Sequence, residues 1–353
     1  MGTTLQLTAY NGLSREEHDL TTLDLEMDGD ELRLIFPDGR SLPLADEGFA
    51  SLCKLLTVPL GFAKKLRDNH RGNVLAYLQK QLGRVNLTEP ASIFIKDGEG
   101  AHVLSVVEAK MHLSDRAAYQ SLDKEIREKA KGELYAVYER EYTVQYFFVT
   151  KEEEVPADPE KSTWKFGHLF SYSLIGLEPF SFRQAAIRVA DASLSILPFK
   201  PVTLENGRTF LGEMQSQVEN FNTEGWTDLC YIVERLVNVN ASLQEVKDAR
   251  VKLRGLKVDA DDNETLERIE KHFGWKEIVK AYEIKTLSPK PSKKWYMSAQ
   301  SPYSLFYVHN KLVAEATHAV DADPKVENKI HTNASRLMKK TPDLSEKAPP
   351  KVY

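Results

Sequence analysis

The chain has 353 residues, 42% hydrophobic and 28% charged, with a net charge of −5. That composition excludes a disordered or collagen-like chain and a protein coated in basic residues, while leaving room for one or two cores and for a local basic groove. Cys53 and Cys230 are the only cysteines, too few for a disulfide framework or a four-thiolate zinc site, so a reducing, cytoplasmic setting is expected.

No apolar run approaches the ~18 residues of a membrane span. The first residues lack a basic start followed by an apolar core, so no secretory signal is expected. Residues 22–44 read as strand, turn, strand. Leu32, Leu34 and Phe36 alternate with Arg33 and Ile35, and Pro37-Asp38-Gly39-Arg40 is a turn before Leu42 and Leu44. Asp46 is placed to cap a helix carrying Phe49, Leu52, Leu55 and Leu56. Pro59 opens a second, with Phe62, Ala63 and Leu66 inward, and a third runs from Asn73 to Leu82. Residues 48–70 thus have the outline of a helix-turn-helix, with Lys64, Lys65, Arg67 and Arg71 on the second helix. The plainer alternative is an ordinary helix pair with solvated cations.

Residues 91–112 predict a second hairpin around Asp97-Gly98-Glu99-Gly100, and a helix capped by Ser114 follows to Lys131. Tyr135, Val137, Tyr142, Val144, Tyr146, Phe147 and Phe148 are strand formers, with a turn or bulge at Glu139-Arg140-Glu141. Residues 151–163 read as a flexible polar loop with two prolines. In the apolar stretch from Trp164 to Lys200, strands are expected in the second half, around Phe180, Phe182, Ile187, Val189, Leu194 and Ile196. Gly167 and Gly176 punctuate the first half, and Arg183, Arg188 and Asp191 are charges inside the run. Arg188 has two readings. It pairs with Asp191 or Glu178 and fixes the strand, or it faces a groove beside Arg183 and contacts phosphate.

A turn at Glu205-Asn206-Gly207 precedes a helix from Thr209 to Phe221. Trp226, Leu229, Ile232, Val233 and Leu236 mark the next helix, with Cys230 in a packing position. Ser242 and Glu245 form a capping box, and a helix from Asp261–Asn263 carries Leu266, Ile269 and Phe273. Residues 285–296 read as a basic linker. A helix over 303–320, another from Pro324 and a disordered tail from Thr341 complete the chain. The fold class expected is α+β: an antiparallel sheet from hairpins and central strands with packed helices. It divides into 1–90, an N-terminal hairpin plus helices; 91–222, the central sheet region; 223–340, a helical C-terminal region; and 341–353, the tail.

Chemistry is sparsely signalled. Nine histidines include no HxxxH or HExxH pair, and no phosphate-cradling GxxxxGK[ST], GxGxxG or GxSxG is present. Acidic runs at Glu152–Glu154 and Asp259–Asp262 read as solvated charge. No metal, cofactor or catalytic constellation is therefore expected, and the reading leans away from an enzyme, although distant residues can meet in a fold. Two features point to nucleic acid. Lys290, Lys293 and Lys294 flank Trp295 and Tyr296, a mixture able to hold phosphates and stack a base. Tyr142, Tyr146 and Phe148 would offer further rings if one sheet face were open. The plainer alternatives are a basic linker with Trp295 anchored in the core, and a buried aromatic core.

Three blocks carry a family resemblance: LCKLLTVPLGFAKKL with NVLAYLQKQL; Gly167, Ser173, Gly176 and Arg188; and SPYSLFYVHNKLVAEATHAVDADPKVENKIHTNASRLM, ending Ala334 to Leu337. On these the chain resembles the phage and plasmid proteins of the domain-of-unknown-function 932 family. It departs from that pattern at Tyr172 and at Asp191-Ala192-Ser193-Leu194. The resemblance implies a mobile-element origin and the company of replication or recombination genes. The expected function is a phage- or plasmid-encoded nucleic-acid-binding protein of DNA recombination or replication, a homo-oligomer on single-stranded DNA in the host cytoplasm. The alternative is a non-enzymatic, self-assembling or interaction protein that engages a host or phage protein.

Overall fold

The computed structural model describes residues 12–339 except 70, 86–89, 109–127, 129–131, 141, 178–179, 199–201, 205–223, 256–270, 272 and 319–323. The turn at 205–207 with its helix, and the tail, lie outside the described residues. So do the helix expected over 114–131, except for Glu128, which is helical, and the helix from Asp261, except near its end, where Phe273 is buried as expected.

The fold is α+β, as the patterning predicts. The N-terminal part contains β1 (Leu13–His18), β2 (Asp24–Asp28), β3 (Glu31–Ile35), β4 (Ser41–Pro43), α1 (Asp46–Leu55), α2 (Leu60–Asn69), α3 (Arg71–Leu82), β5 (Ala91–Lys96) and β6 (His102–Glu108). β2, β3 and β4 form an antiparallel meander, and β1, β5 and β6 a second antiparallel sheet. Alternation sets the faces of the meander: Leu25, Leu32 and Leu34 are buried while Asp24, Asp28 and Glu31 are exposed. The helices close one core over both sheets, with Phe49, Leu52, Leu78, Ile93 and Val106 inside. Ala45, not Asp46, is the N-cap of α1. It has no side chain to bond the first turn, and Asp46 instead pairs with Arg67 at 3.2 Å.

The central sheet holds β7 (Glu133–Arg140), β8 (Thr143–Glu154), β9 (Thr163–Ser173), β10 (Phe180–Arg188), β11 (Ser193–Ile196) and β12 (Val202–Leu204). The order is β11-β10-β9-β8-β7, all antiparallel, with β12 sharing the outer edge of β10 beside β11. The first half of the apolar stretch is thus itself a strand, the middle one of the sheet. Both of its faces are buried, so it shows no alternation to read. Gly167 lies where β8 carries a bulge between Val149 and Lys151; a Cβ there would fall onto the Phe148 carbonyl. Gly176 turns the chain between β9 and β10 at φ +69°, which suits glycine. The Ser173 hydroxyl accepts from the amides of Ile175 and Leu177 in the same turn.

The turn also ties the central sheet to the N-terminal part. Ile175 packs with Phe94 and Leu104, and Ser105 Oγ donates to the Ile175 carbonyl at 2.5 Å. The expected flexible loop at 151–163 is shorter and more ordered than its polarity suggests. β8 runs on to Glu154, and Val155, Asp158 and Ser162 are buried.

The C-terminal part has α4 (Glu224–Val237), β13 (Asn240–Ser242), α5 (Leu243–Leu253), α6 (Trp275–Ala281), α7 (Lys293–Ser298), β14 (Gln300–Ser304), α8 (Leu305–His318) and α9 (Pro324–Met338). The capping box at Ser242 and Glu245 is present in full. Leu229, Val233, Val246, Leu312 and Ile330 pack with Trp164, Phe166 and Ala186 from one face of the sheet, a large apolar core. Among the described residues no helix is long and apolar enough to cross a membrane.

Candidate nucleic-acid interface

The cations singled out in the sequence fall in three places. Lys64 and Lys65 are exposed on α2, beside the N-terminal core. Arg67 is engaged: it pairs with Asp46, approaches Asp68 at 3.7 Å, and lies over the Phe49 ring at 4.8 Å. The side chain of Arg71 lies outside the described residues.

Arg183 and Arg188 do not share a groove. Residues five apart on one strand point to opposite faces. Arg188 opposes Trp164 on the face that meets the helical core, and Arg183 opposes Leu169 on the other. Arg188 is 3% exposed. Its Nε and Nη2 donate to both oxygens of Asp158, at 2.8 and 3.0 Å. Nη2 also reaches Glu160 at 2.7 Å, and Nη1 reaches Asp191 at 3.0 Å. The pairing with Asp191 is thus present, Glu178 lies outside the described residues, and the main partner is Asp158, from the loop after β8. Burial alone would raise the Asp158 carboxyl, but hydrogen bonds from Arg188, Trp164 and the Glu160 amide hold it below its ordinary value. Four of the five guanidinium N–H donors go to carboxylates and the side chain is buried, so it is not presented to a phosphate.

Tyr146 and Phe148 do not form an open ring face. Both are fully buried, with Tyr146 stacked against Tyr172 and Phe148 edge-on to Phe170. Among the described residues no group of histidine, cysteine or acidic side chains could hold a metal ion.

The third place differs. Residues 285–296 are not a plain linker, since Ser292 caps α7 by accepting from the Trp295 amide at 3.2 Å. Trp295 and Tyr296 then face the core while Lys290, Lys293 and Lys294 stay exposed. The basic character extends well beyond these three. From Lys271 to Lys311 the chain carries eight lysines and two acidic residues, Glu277 and Glu283, in a protein that is acidic as a whole. Lys271, Lys276, Lys280, Lys285, Lys290, Lys293 and Lys294 are all exposed. Lys276 and Lys280 lie one turn apart on α6, where like charges repel. A charge count over a sliding window would have found this stretch; attention to the Lys-Lys-Trp-Tyr motif alone did not.

Aromatic rings back the lysines. Trp295 meets Tyr282 at 6.3 Å and Tyr296 at 5.2 Å, both edge to face, and Tyr303 stacks on Tyr307 at 4.8 Å. Burial raises the pKa of both Tyr303 and Tyr307, so they stay neutral hydroxyls. From α5, Lys247 lies 4.5 Å over the Tyr296 ring and Arg250 lies 4.5 Å over Trp275. Concentrated positive charge on ring-supported helices can hold a polyanion through its phosphates. Compared with models of known protein families, with curated proteins and with solved structures, the chain matches none.

Proposed function

We propose that the protein binds nucleic acid, single-stranded DNA in the first place, through the lysine-rich surface between Lys271 and Lys311. One observation carries this reading. Eight lysines gather in a stretch with two acids, and none of the eight has an ion pair among the described residues. Cations concentrated in one stretch without acidic partners raise the local positive potential, and a bound phosphate backbone offsets it. Lys290, Lys293 and Lys294 form its densest part. A role in the recombination or replication of phage or plasmid DNA is part of the proposal and rests on the family resemblance. Four of the residues behind that resemblance, Gly167, Ser173, Gly176 and Arg188, serve the sheet and its turn and carry no binding chemistry of their own.

The test is fluorescence anisotropy of a labelled single strand over a range of salt. Binding that weakens steeply, with a log–log slope of about −0.7 per phosphate contacted, supports the proposal. Absence of binding in low salt overturns it. Light scattering with and without the strand reports whether assembly depends on DNA.

A further inference from the structure

The rings beside the lysines are already occupied. A base stacks on an aromatic side chain only where a ring face is open. Tyr296 and Trp275 each have a cation over one face and pack against the C-terminal core, as does Trp295, which meets Tyr282 and Tyr296 in edge-to-face contacts. The two cations from α5 differ in what they can still do. Arg250 is buried. Lys247 is half-buried and is in no ion pair among the described residues; its ammonium lies 4.5 Å over the Tyr296 ring, next to the α7 turn that carries Lys293 and Lys294. A ring that holds a lysine in place removes part of the rotamer freedom the side chain would lose on meeting a phosphate.

We propose that Lys247 is a further phosphate-binding residue, that Tyr296 is its positioning residue, and that this surface therefore grips its ligand by the sugar–phosphate backbone and not by stacking bases. The inference rests on the nucleic-acid reading above and names the part of the ligand that is recognised. It also assigns Tyr296 a role other than the base stacking suggested by its place in the Lys-Lys-Trp-Tyr motif.

The experiment compares a labelled oligothymidylate with an abasic phosphodiester strand of the same length. The proteins are the full chain and its Lys247→Gln, Tyr296→Leu, Tyr296→Phe and Lys247→Gln/Tyr296→Leu variants, each first checked for an unchanged melting curve. The expected result is that the parent binds both strands equally well. Lys247→Gln weakens both and lowers the salt slope by about 0.7, the value of one phosphate contact. Tyr296→Leu weakens both strands about two- to fivefold, the worth of an exposed cation–π pair, while Tyr296→Phe, which keeps a ring face, binds like the parent. The double variant is no weaker than Lys247→Gln alone, because the two residues act as one unit. A parent that prefers the base-bearing strand about fivefold or more, as one stacked base would cause, overturns the inference. So do additive losses in the double variant. If Tyr296→Leu fails to fold, Lys247→Gln and the two-strand comparison on the parent still decide. A parent that binds neither strand overturns the nucleic-acid reading itself, an outcome distinct from binding that depends on bases.

Discussion

Arg188 and Asp158 form a two-pronged pair, Nε to Oδ2 at 2.8 Å and Nη2 to Oδ1 at 3.0 Å, with both side chains almost wholly out of solvent. Removing one partner leaves the other charged and buried, which typically costs about 3–5 kcal/mol. Arg188→Ala and Asp158→Ala are each expected to lower the melting temperature by several degrees, read by circular dichroism. Binding of nucleic acid by whatever fraction remains folded is expected to be unchanged. A variant that melts like the parent would remove the pair from the list of what holds the sheet to its loop.

Acid is expected to weaken the fold in two steps. His309 is fully buried, and burial, helped by His331 and opposed by Asn310 and Asp191, pushes its pKa down to about 4. Its folded value lies below the ordinary 6.5, so between pH 6.5 and 4 the unfolded chain takes up a proton that the folded chain refuses. Stability falls across that window by about 3 kcal/mol. Below it Asp158 follows, because its carboxyl is also depressed and its contribution is lost on protonation. Denaturant melts at pH 7, 5.5 and 4.5 measure the first step, and His309→Leu is expected to flatten it.

The lysine proposal separates two surfaces. Lys290→Glu/Lys293→Glu/Lys294→Glu is expected to abolish binding at moderate salt, because it removes three cations and adds three repelling charges. Lys64→Glu/Lys65→Glu, on a helix of the N-terminal core, is expected to leave affinity within about twofold, since surface changes away from a site rarely exceed ~0.5 kcal/mol. Anisotropy titrations on both variants decide between the surfaces. The reverse pattern would move the interface to α2.

Gly167→Ala is expected to destabilise by about 3 kcal/mol or more, since the added methyl meets backbone that cannot swing aside. Loss of soluble protein or a sharply lower denaturation midpoint is the outcome to look for. A neutral result would mean that the bulge at Val149 and Lys151 yields more easily than its place in mid-sheet implies.

Much of this architecture is legible wherever the signal is local. Pro37-Asp38-Gly39 and Asp97-Gly98 mark their turns, Ser242 and Glu245 their cap, and Pro324 the start of α9. Strand parity alone places Arg183 and Arg188 on opposite faces. What escapes is the distant partner. Asp158 sits in a polar, proline-containing loop that has every mark of a solvated connector, and only the folded sheet brings it to Arg188, thirty residues on. β9 escapes for a different reason, since a strand buried on both faces loses its period. α7 is hidden by the prolines before it, although Ser292 is a sound cap. For the interface, the Lys-Lys-Trp-Tyr motif shows three of the lysines; the other five come from the charge balance of the whole window, and Lys247 only from the packing of α5 on α7.

β1 pairs with β5 in unbroken register, Leu13 opposite Lys96 through to His18 opposite Ala91. Everything from Asp19 to Pro90, the meander and three helices, is therefore enclosed between two neighbouring strands. A ribosome that has just made β1 has no mate to offer it until the chain has grown past Lys96, whereas β2 and β3 can join as soon as they emerge. β1 is thus made long before the strand it pairs with. In refolding sampled by pulsed hydrogen exchange, the amides of β1 should gain protection together with those of β5, after those of the β2–β3 hairpin.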